Sequence, residues 1–185
     1  MGNETTLIIG GTRSGKSSFA EKLAKETGKG VIFIATGKAI DDEMRERIED
    51  HKSKRPINWT TIEADGDIPV IIDQLENGKT GGTGGEAAIL IDCISFYVAD
   101  LMNTHKRKEE EIIEHFNNIM KRLKGKRHVV MVSSEVGAGV VPSYSLGREY
   151  RDTLGTVNQM LAESADRVMM MVAGIPMTVK NRWGS

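Results

Sequence analysis

Short continuous apolar runs recur along the chain: Leu7-Ile8-Ile9, Val31-Ile32-Phe33-Ile34-Ala35, Ala88-Ile89-Leu90-Ile91, Val129-Val130-Met131-Val132 and Val168-Met169-Met170-Met171-Val172-Ala173. Runs without polar alternation are what strands buried on both faces of a parallel sheet look like. Between them lie stretches with helical spacing. The first runs from about Ser17 to Thr27, with Phe19, Ala20, Leu23 and Ala24 on one face and Gly28 as its stop. The second, over 41–52, has only the thin stripe Ile40, Met44 and Ile48, so it is expected to be largely exposed, and Pro56 closes the turn after it. Ile68 to Leu75 follows, with Asp67 as its cap and Pro69 in its first turn. Ile94 to Asn103 is the next helix. Arg107 to Lys124 is amphipathic, with a core face of Ile112, Ile113, Phe116, Ile119, Met120 and Leu123. Leu146, Tyr150, Leu154, Val157 and Leu161 mark the core face of the last helix. Trp59 to Glu63 reads as a short strand, and Met177 to Lys180 as a short edge strand. Alternating strands and helices predict an α/β fold, a mainly parallel sheet with helices on both faces.

No second domain or internal repeat shows in the pattern, so residues 1–185 are expected to form a single nucleotide-binding domain. The glycine-rich connection over 78–86 reads as flexible, and the tail over 181–185 as loose. Its Gly78-Lys79-Thr80 imitates part of a phosphate loop, but Asp73 stands where the first glycine would be and no strand precedes it. With 25 basic and 26 acidic side chains the net charge is -1, which argues against a nucleic-acid partner. The one cysteine, Cys93, allows no internal disulfide and suits a reducing, cytoplasmic compartment. No apolar run approaches the length of a membrane span.

Chemistry enters with Gly10-Gly11-Thr12-Arg13-Ser14-Gly15-Lys16-Ser17, set between the first apolar run and the first helix. Strand, GxxxxGK[ST] and helix in that order make a P-loop. Its glycines let backbone N–H groups close around a polyphosphate, and the helix N-terminus adds a favourable dipole. Lys16 supplies a charge for the outer phosphates, and Ser17 offers a hydroxyl to a phosphate-bound Mg2+. The strand ending Ile91-Asp92 places a carboxylate where such proteins hold the magnesium shell. Further strand ends, at Thr36-Gly37 and at the loop 134–142, fall on the ligand-gathering edge of an open α/β sheet.

A P-loop does not state which phosphorus is attacked. Attack at the γ-phosphorus makes a kinase or an NTPase, and attack at the α-phosphorus makes a nucleotidyltransferase. His51 bears on this, because Arg47, Lys52, Lys54 and Arg55 surround it in sequence. Neighbouring cations keep an imidazole neutral and nucleophilic, and they stabilise charge at a phosphorus under attack. A solvated surface histidine is the alternative, and composition alone favours it. A nucleic-acid motor is disfavoured, because the basic cluster at 52–55 is short and no longer track appears.

The motifs, taken together, resemble those of the bifunctional adenosylcobinamide kinase/adenosylcobinamide-phosphate guanylyltransferase family. The resemblance rests on the 10–17 loop, Ile34-Ala35-Thr36, Asp41-Asp42-Glu43-Met44, Arg47-Ile48, His51-Lys52 and Arg55-Pro56. It continues through Trp59, Thr61, Glu63, Leu90 to Ile94, Glu135-Val136-Gly137, Gly139 to Pro142, Arg148, Tyr150-Arg151-Asp152, Gly155, Val157-Asn158-Gln159, Leu161-Ala162 and Ala165-Asp166. It implies phosphorylation of adenosylcobinamide with ATP or GTP, then transfer of GMP from GTP through a guanylyl-histidine, giving adenosyl-GDP-cobinamide. It places that histidine on His51, with Lys16 as the other catalytic residue. It places nucleotide contacts on Gly10, Gly11, Thr12, Arg13, Ser14, Gly15, Lys16, Ser17, Ala35, Thr36, Gly37, Lys52, Ser53, Lys54, Arg55, Glu63 and Asp92. Ser17 and Asp92 would face Mg2+, although Asp92 is one methylene shorter than the Glu expected there. The resemblance also implies a P-loop NTPase fold of RecA-like form and a homotrimer. A monofunctional P-loop kinase or NTPase with an idle His51 is the alternative enzyme.

Overall fold

The computed structural model describes residues 3–37, 42, 46, 49, 52, 55–64, 67–78 and 87–181. The elements are β1 (Thr5–Gly10), α1 (Lys16–Glu26), β2 (Val31–Ala35), β3 (Thr60–Glu63), α2 (Ile68–Glu76) and β4 (Ala88–Asp92). They continue with α3 (Ile94–Asn103), α4 (Glu109–Leu123), β5 (Val129–Ser134), α5 (Ser145–Ser164), β6 (Arg167–Val172) and β7 (Ile175–Asn181). Asp42, Glu46, Glu49 and Lys52 are helical and exposed. The remainder of the expected 41–52 helix, the glycine-rich connection beyond Gly78 and the tail from Arg182 lie outside the described residues.

One sheet carries the strands in the order β3-β2-β4-β5-β1-β6-β7. All neighbours pair in parallel except β6 and β7, which are antiparallel. Six parallel strands therefore bring Gly10, Ala35, Glu63, Asp92 and Ser134 to the same edge, the carboxyl ends where open α/β sheets bind ligands. The strand that feeds the P-loop, β1, is separated from the strand that ends in Asp92, β4, by β5 alone.

The apolar runs split by residue parity, as strand geometry requires. Leu7, Ile32, Ile34, Ile89, Ile91, Val129 and Met131 face one core with residues of α2, α3, α4 and α5. Ile8, Val31, Phe33, Ala88, Leu90, Val130 and Val132 face the other, with Ala20 and Ala24 of α1 and with Met169 and Met171. Burying each large aliphatic side chain contributes roughly 1.5–3 kcal/mol, so both faces need covering. Four helices cover the first face. The second has α1, and there the Trp59 ring stacks on Phe33 at 6.4 Å while the Arg55 guanidinium lies 3.6 Å over the same ring.

Four local expectations change. The edge strand is longer than 177–180, because Ala173 (φ 50°) and Gly174 (φ 82°) form a two-residue turn that closes a full hairpin between β6 and β7. In α4 the inward position is taken by His115 rather than Ile113: His115 is buried beside Ile112 and Phe116, while Ile113 is only half-buried. Leu146 is exposed, since the first turn of α5 packs through buried Gly147 onto Pro142 and Tyr144 instead. Asp67 occupies the N-cap position of α2, but its side chain makes no cap hydrogen bond.

Candidate functional site: a phosphate cradle at the strand ends

The P-loop is shaped by backbone constraints that only particular residues meet. A Cβ on Gly10 would lie 2.6 Å from the carbonyl oxygen of Met171 and 2.8 Å from Ser14 Oγ, so β1 can approach β6 only with glycine there. Ser14 N–H donates to Gly11 O at 3.3 Å, closing the first turn of the loop. Arg13 has φ 56° and Gly15 φ 90°, and Gly15 then opens α1 by accepting from Phe19 N–H at 3.0 Å. Left-handed backbone costs an ordinary residue about 1–2 kcal/mol, a strain concentrated at this turn. The turn is also braced from behind, where Gly174 N–H of the β6–β7 hairpin donates to Ser14 O at 3.0 Å.

Lys16 Nζ donates to Gly11 O at 2.6 Å, so its ammonium is held across the mouth of the loop. Burial lowers its pKa below the usual lysine value, and the nearby Cys93 and Asp92 oppose that shift by favouring the charged form.

Asp92 is set by a staple between β2 and β4. Thr36 N–H donates to Asp92 O at 3.1 Å. The Thr36 hydroxyl accepts from Cys93 N–H and donates to Cys93 O, each at 2.7 Å. Thr36 is buried, with its hydroxyl committed to this staple. The Cys93 thiol meets Ser95 Oγ at 2.9 Å, and Ser95 Oγ donates to Ser134 Oγ at 3.1 Å, tying the end of β4 to that of β5. Burial first, and then Asp92, pushes the Cys93 thiol up to about 11, so it is an inert wall and not a nucleophile. Asn158 reaches in from α5, accepting from Ser133 Oγ at 2.6 Å and donating to Ser134 O at 3.1 Å.

These ends enclose a cavity of about 370 Å³. Its wall includes Thr12, Arg13, Ser14, Gly15, Lys16, Ser17 and Asp92 among the expected site residues. Cys93, Phe96, Val132 and Ser134 complete it alongside Ser18. Gly10 and Gly11 lie beneath, at the strand end. Ala35, Thr36, Gly37, Glu63, Lys52 and Arg55 belong to the β2–β3 side and do not line the cavity, although a Cβ on Gly37 would stand 3.9 Å from the Phe96 ring. On that side Lys52 pairs with Glu63, and Arg55 Nη1 donates to Thr61 Oγ1 at 3.5 Å. Burial lowers the Arg55 pKa, while Glu21, Asp92 and Glu63 pull it back up. His51, Ser53 and Lys54 lie outside the described residues. Gly174 was missed from sequence, and so were the contacts of two residues that the motifs did include, Ser134 at the head of the 134–142 loop and Asn158. Asn158 had left a signal, for it falls between Leu154 and Leu161 on the buried stripe of α5.

The chain is matched over residues 6–179 by the model of the cobinamide kinase / cobinamide phosphate guanyltransferase family. It belongs to this family. Similar curated relatives are the bifunctional adenosylcobalamin biosynthesis protein CobP of Pseudomonas aeruginosa, 38% identical over 178 residues, and CobU of Salmonella typhimurium, 36% identical over 188 residues. These alignments cover 94% of this chain in both cases, and 96% and 98% of the respective relatives. A solved structure of the Pyrococcus horikoshii OT3 protein PH0250 superposes with a TM-score of 0.57 at 8% identity, covering 97% of this chain and 87% of that one, a likeness of fold alone.

Proposed function

We propose that this protein phosphorylates adenosylcobinamide with ATP or GTP and then transfers GMP from GTP to the product, giving adenosyl-GDP-cobinamide in cobalamin biosynthesis. The observation that carries this is one cavity walled by P-loop residues 12–18 and Asp92, in a chain of the cobinamide kinase / cobinamide phosphate guanyltransferase family. The chain works as one nucleotide-binding domain. In the first step the hydroxyl of the aminopropanol arm attacks the γ-phosphorus, and the nucleoside diphosphate leaves. In the second an imidazole nitrogen of His51 attacks the α-phosphorus of GTP and pyrophosphate leaves. A phosphate oxygen of adenosylcobinamide phosphate then attacks the phosphorus of guanylyl-His51 and frees the imidazole.

Lys16 holds its charge at the outer phosphates, and backbone N–H groups of the 11–16 loop surround them. Lys52, Arg55 and Glu63, on the β2–β3 side, contribute the remaining nucleotide contacts with Ala35 and Gly37. Ser17 and Asp92 line the same cavity and offer oxygen donors of the hard type that Mg2+ prefers. No cluster of three or more His, Cys, Asp or Glu able to hold a metal occurs among the described residues, which suits an ion arriving with the nucleotide phosphates. Mg2+ there would neutralise developing phosphate charge. Among the described residues no helix is long and apolar enough to cross a membrane, and we place the protein in the cytoplasm. Exposed Ile175, Met177 and Val179 on the edge strand β7 support association of copies, which we read as a homotrimer.

Incubation with α-labelled GTP tests the reading. Wild-type protein should acquire an acid-labile, base-stable label, and His51→Ala should acquire none while keeping most kinase activity. Lys16→Ala should lower both reactions by about 10²-fold or more, the scale of losing one charge that stabilises a phosphoryl transition state. Absence of label under turnover conditions would leave a monofunctional kinase.

A further inference from the structure

The loop from β5 to α5 is not used by the chemistry above, yet it is firmly built. Its entry is tied to the phosphate cradle, because Glu135 N–H donates to Gly10 O at 3.1 Å. The Glu135 carboxylate then turns back to accept Gly137 N–H at 2.6 Å and Ala138 N–H at 3.3 Å. Val136 packs against the main core. At the exit Arg148 Nη1 donates to Pro142 O at 3.0 Å and to Ser143 O at 2.9 Å. Tyr150, on the following turn, donates to Ser95 O at 3.2 Å. Buried Gly147 has Pro142 and the Tyr144 ring so close that a Cβ would sit 2.8 Å from each.

What this braced loop displays is apolar. Val140 is 94% exposed, Val141 60% and Tyr144 65%. No charged residue occurs between Val136 and Leu146. A cluster of exposed apolar side chains on a fixed loop marks a contact surface, since nothing in the fold gains from it. Its position narrows the occupant. Ser134, immediately before the loop, lines the same cavity as the P-loop, so the loop leaves the sheet beside the cradle. The cavity's 370 Å³ is the size of a site for one compact ligand, at the lower end of the roughly 300–1,000 Å³ typical of such pockets. Once such a cavity holds the phosphates of a nucleotide, the broad corrin macrocycle is left to rest outside it, with its aminopropanol arm reaching in. Cobinamide is a broad ring with apolar edges and neutral amide arms, complementary to an uncharged surface of valines with the hydroxyls of Ser143, Tyr144 and Ser145 beside them.

We infer that residues 136–146 form the platform on which the corrinoid ring of the acceptor docks, with Val140, Val141 and Tyr144 as its contact surface. This rests on the function proposed above and adds where its acceptor binds. The test compares wild type with Val140→Ser/Val141→Ser, at exposed positions, and with Tyr144→Ser, whose ring also packs on Gly147, so the melting temperature of each variant is measured alongside. Each variant is assayed for kinase KM and kcat toward adenosylcobinamide, for label from α-labelled GTP without acceptor, and for adenosylcobinamide binding by equilibrium dialysis read from the corrin absorbance. The double variant should raise KM and the binding constant about tenfold, the scale of removing two partly buried valines from a contact. Saturating kcat and acceptor-free labelling should stay within about twofold of wild type, since no catalytic contact is altered. If wild type binds adenosylcobinamide and both variants bind it equally well, the platform inference falls alone. A drop in assembly mass on sedimentation with unchanged binding would likewise overturn it and give the surface to a second copy. If wild type neither binds nor turns over adenosylcobinamide, the functional reading itself falls and takes the platform with it.

Discussion

Two loops leave the carboxyl edge of the sheet side by side and do opposite things with their atoms. The P-loop after β1 brings one ammonium to the cavity wall, and it is held by contacts of main chain on main chain: Ser14 on Gly11, Gly174 on Ser14, Gly10 against Met171. The loop after β5 hides its polar braces, Glu135 and Arg148, along its own backbone and turns Val140, Val141 and Tyr144 outward. Phosphate is recognised by fixed dipoles, which demand an unyielding backbone. A broad neutral ring is recognised by apolar area, which tolerates small adjustments of side chains. The difference teaches that rigidity in the first loop is written into glycines, and in the second into charged braces.

Paired glycine substitutions break this comparison most sharply. Gly10→Ala drives a methyl into the Met171 carbonyl, which belongs to a strand paired on both sides and cannot step aside. The expected result is a loss of about 2–3 kcal/mol in urea unfolding and roughly a 100-fold fall in both activities, as a displaced cradle misplaces the phosphates. Gly147→Ala meets side-chain atoms of Pro142 and of the exposed Tyr144 ring, which can turn aside without displacing a strand. It should cost about 1 kcal/mol and change acceptor KM severalfold, leaving nucleotide KM within about twofold. Equal effects of the two alanines on nucleotide KM would show that the loops are not independently built.

The cradle was legible in the sequence because its constraints are short-range. A strand, a glycine spacing and a helix start within a few residues specify Gly10 to Ser17, and continuous apolar runs alternating with helices pointed to a mainly parallel sheet covered on both faces. Asp92 was legible for the same reason, as the carboxylate that terminates a run. The supports were not. Gly174 touches the P-loop from more than 150 positions away in sequence, and only the hairpin turn at Ala173-Gly174 brings it there. That turn lacks the Asn-Gly signature of its type, so it gave no warning. Thr36 was legible as the end of a strand at the binding edge, but not as the residue whose hydroxyl closes on both sides of Cys93. Leu146 kept helical phase with Tyr150 and Leu154 while Gly147 took the inward contact, an exchange that periodicity cannot see.

Acid separates both loops from the packing under them. Arg107 can only donate, so its 2.7 Å contact makes His115 Nδ1 an acceptor and leaves the proton on Nε2, which donates to the Tyr97 oxygen at 2.6 Å. That oxygen also accepts Ile68 N–H at 3.1 Å, so α2, α3 and α4 meet at one neutral imidazole. Burial first, then Arg107, depresses the His115 pKa to about 4, with Asp67 opposing and His105 reinforcing the shift. Asp100 completes the surrounding charges. The unfolded chain, with a histidine near 6.5, binds the proton first, so stability is full above about pH 6.5 and declines as pH falls toward 4. The expected loss is about 2 kcal/mol over that span, below the full linkage value because the site is not wholly sealed. His115→Gln should flatten this limb in urea titrations at several pH values. An unchanged slope would move the acid sensitivity elsewhere. Nucleotide and acceptor KM, compared between wild type and His115→Gln at pH 7, should stay together, since neither loop contacts this cluster.

The smallest expected effect bears on whether the hairpin is part of the cradle or only beside it. Gly174 sits at φ 82° with open space where a Cβ would go, so Gly174→Ala meets no clash and pays only the left-handed backbone strain of about 1 kcal/mol. Part of that strain can relax by rotating the 173–174 turn, and the atom that then moves is the N–H bonded to Ser14 O. Ser14 belongs to the cavity wall, so relaxation by this route should raise nucleotide KM about two- to threefold, a shift of some tenths of a kcal/mol. Acceptor KM should not follow, because the post-β5 loop is tied to Gly10 and Arg148 and has no bond to the hairpin turn among the described contacts. A lowered melting temperature with nucleotide KM unmoved would make the hairpin a neighbour whose hydrogen bond the P-loop does not need. A rise in both KM values would instead mean that Gly10 transmits the strain across β1, joining two loops that the geometry keeps apart.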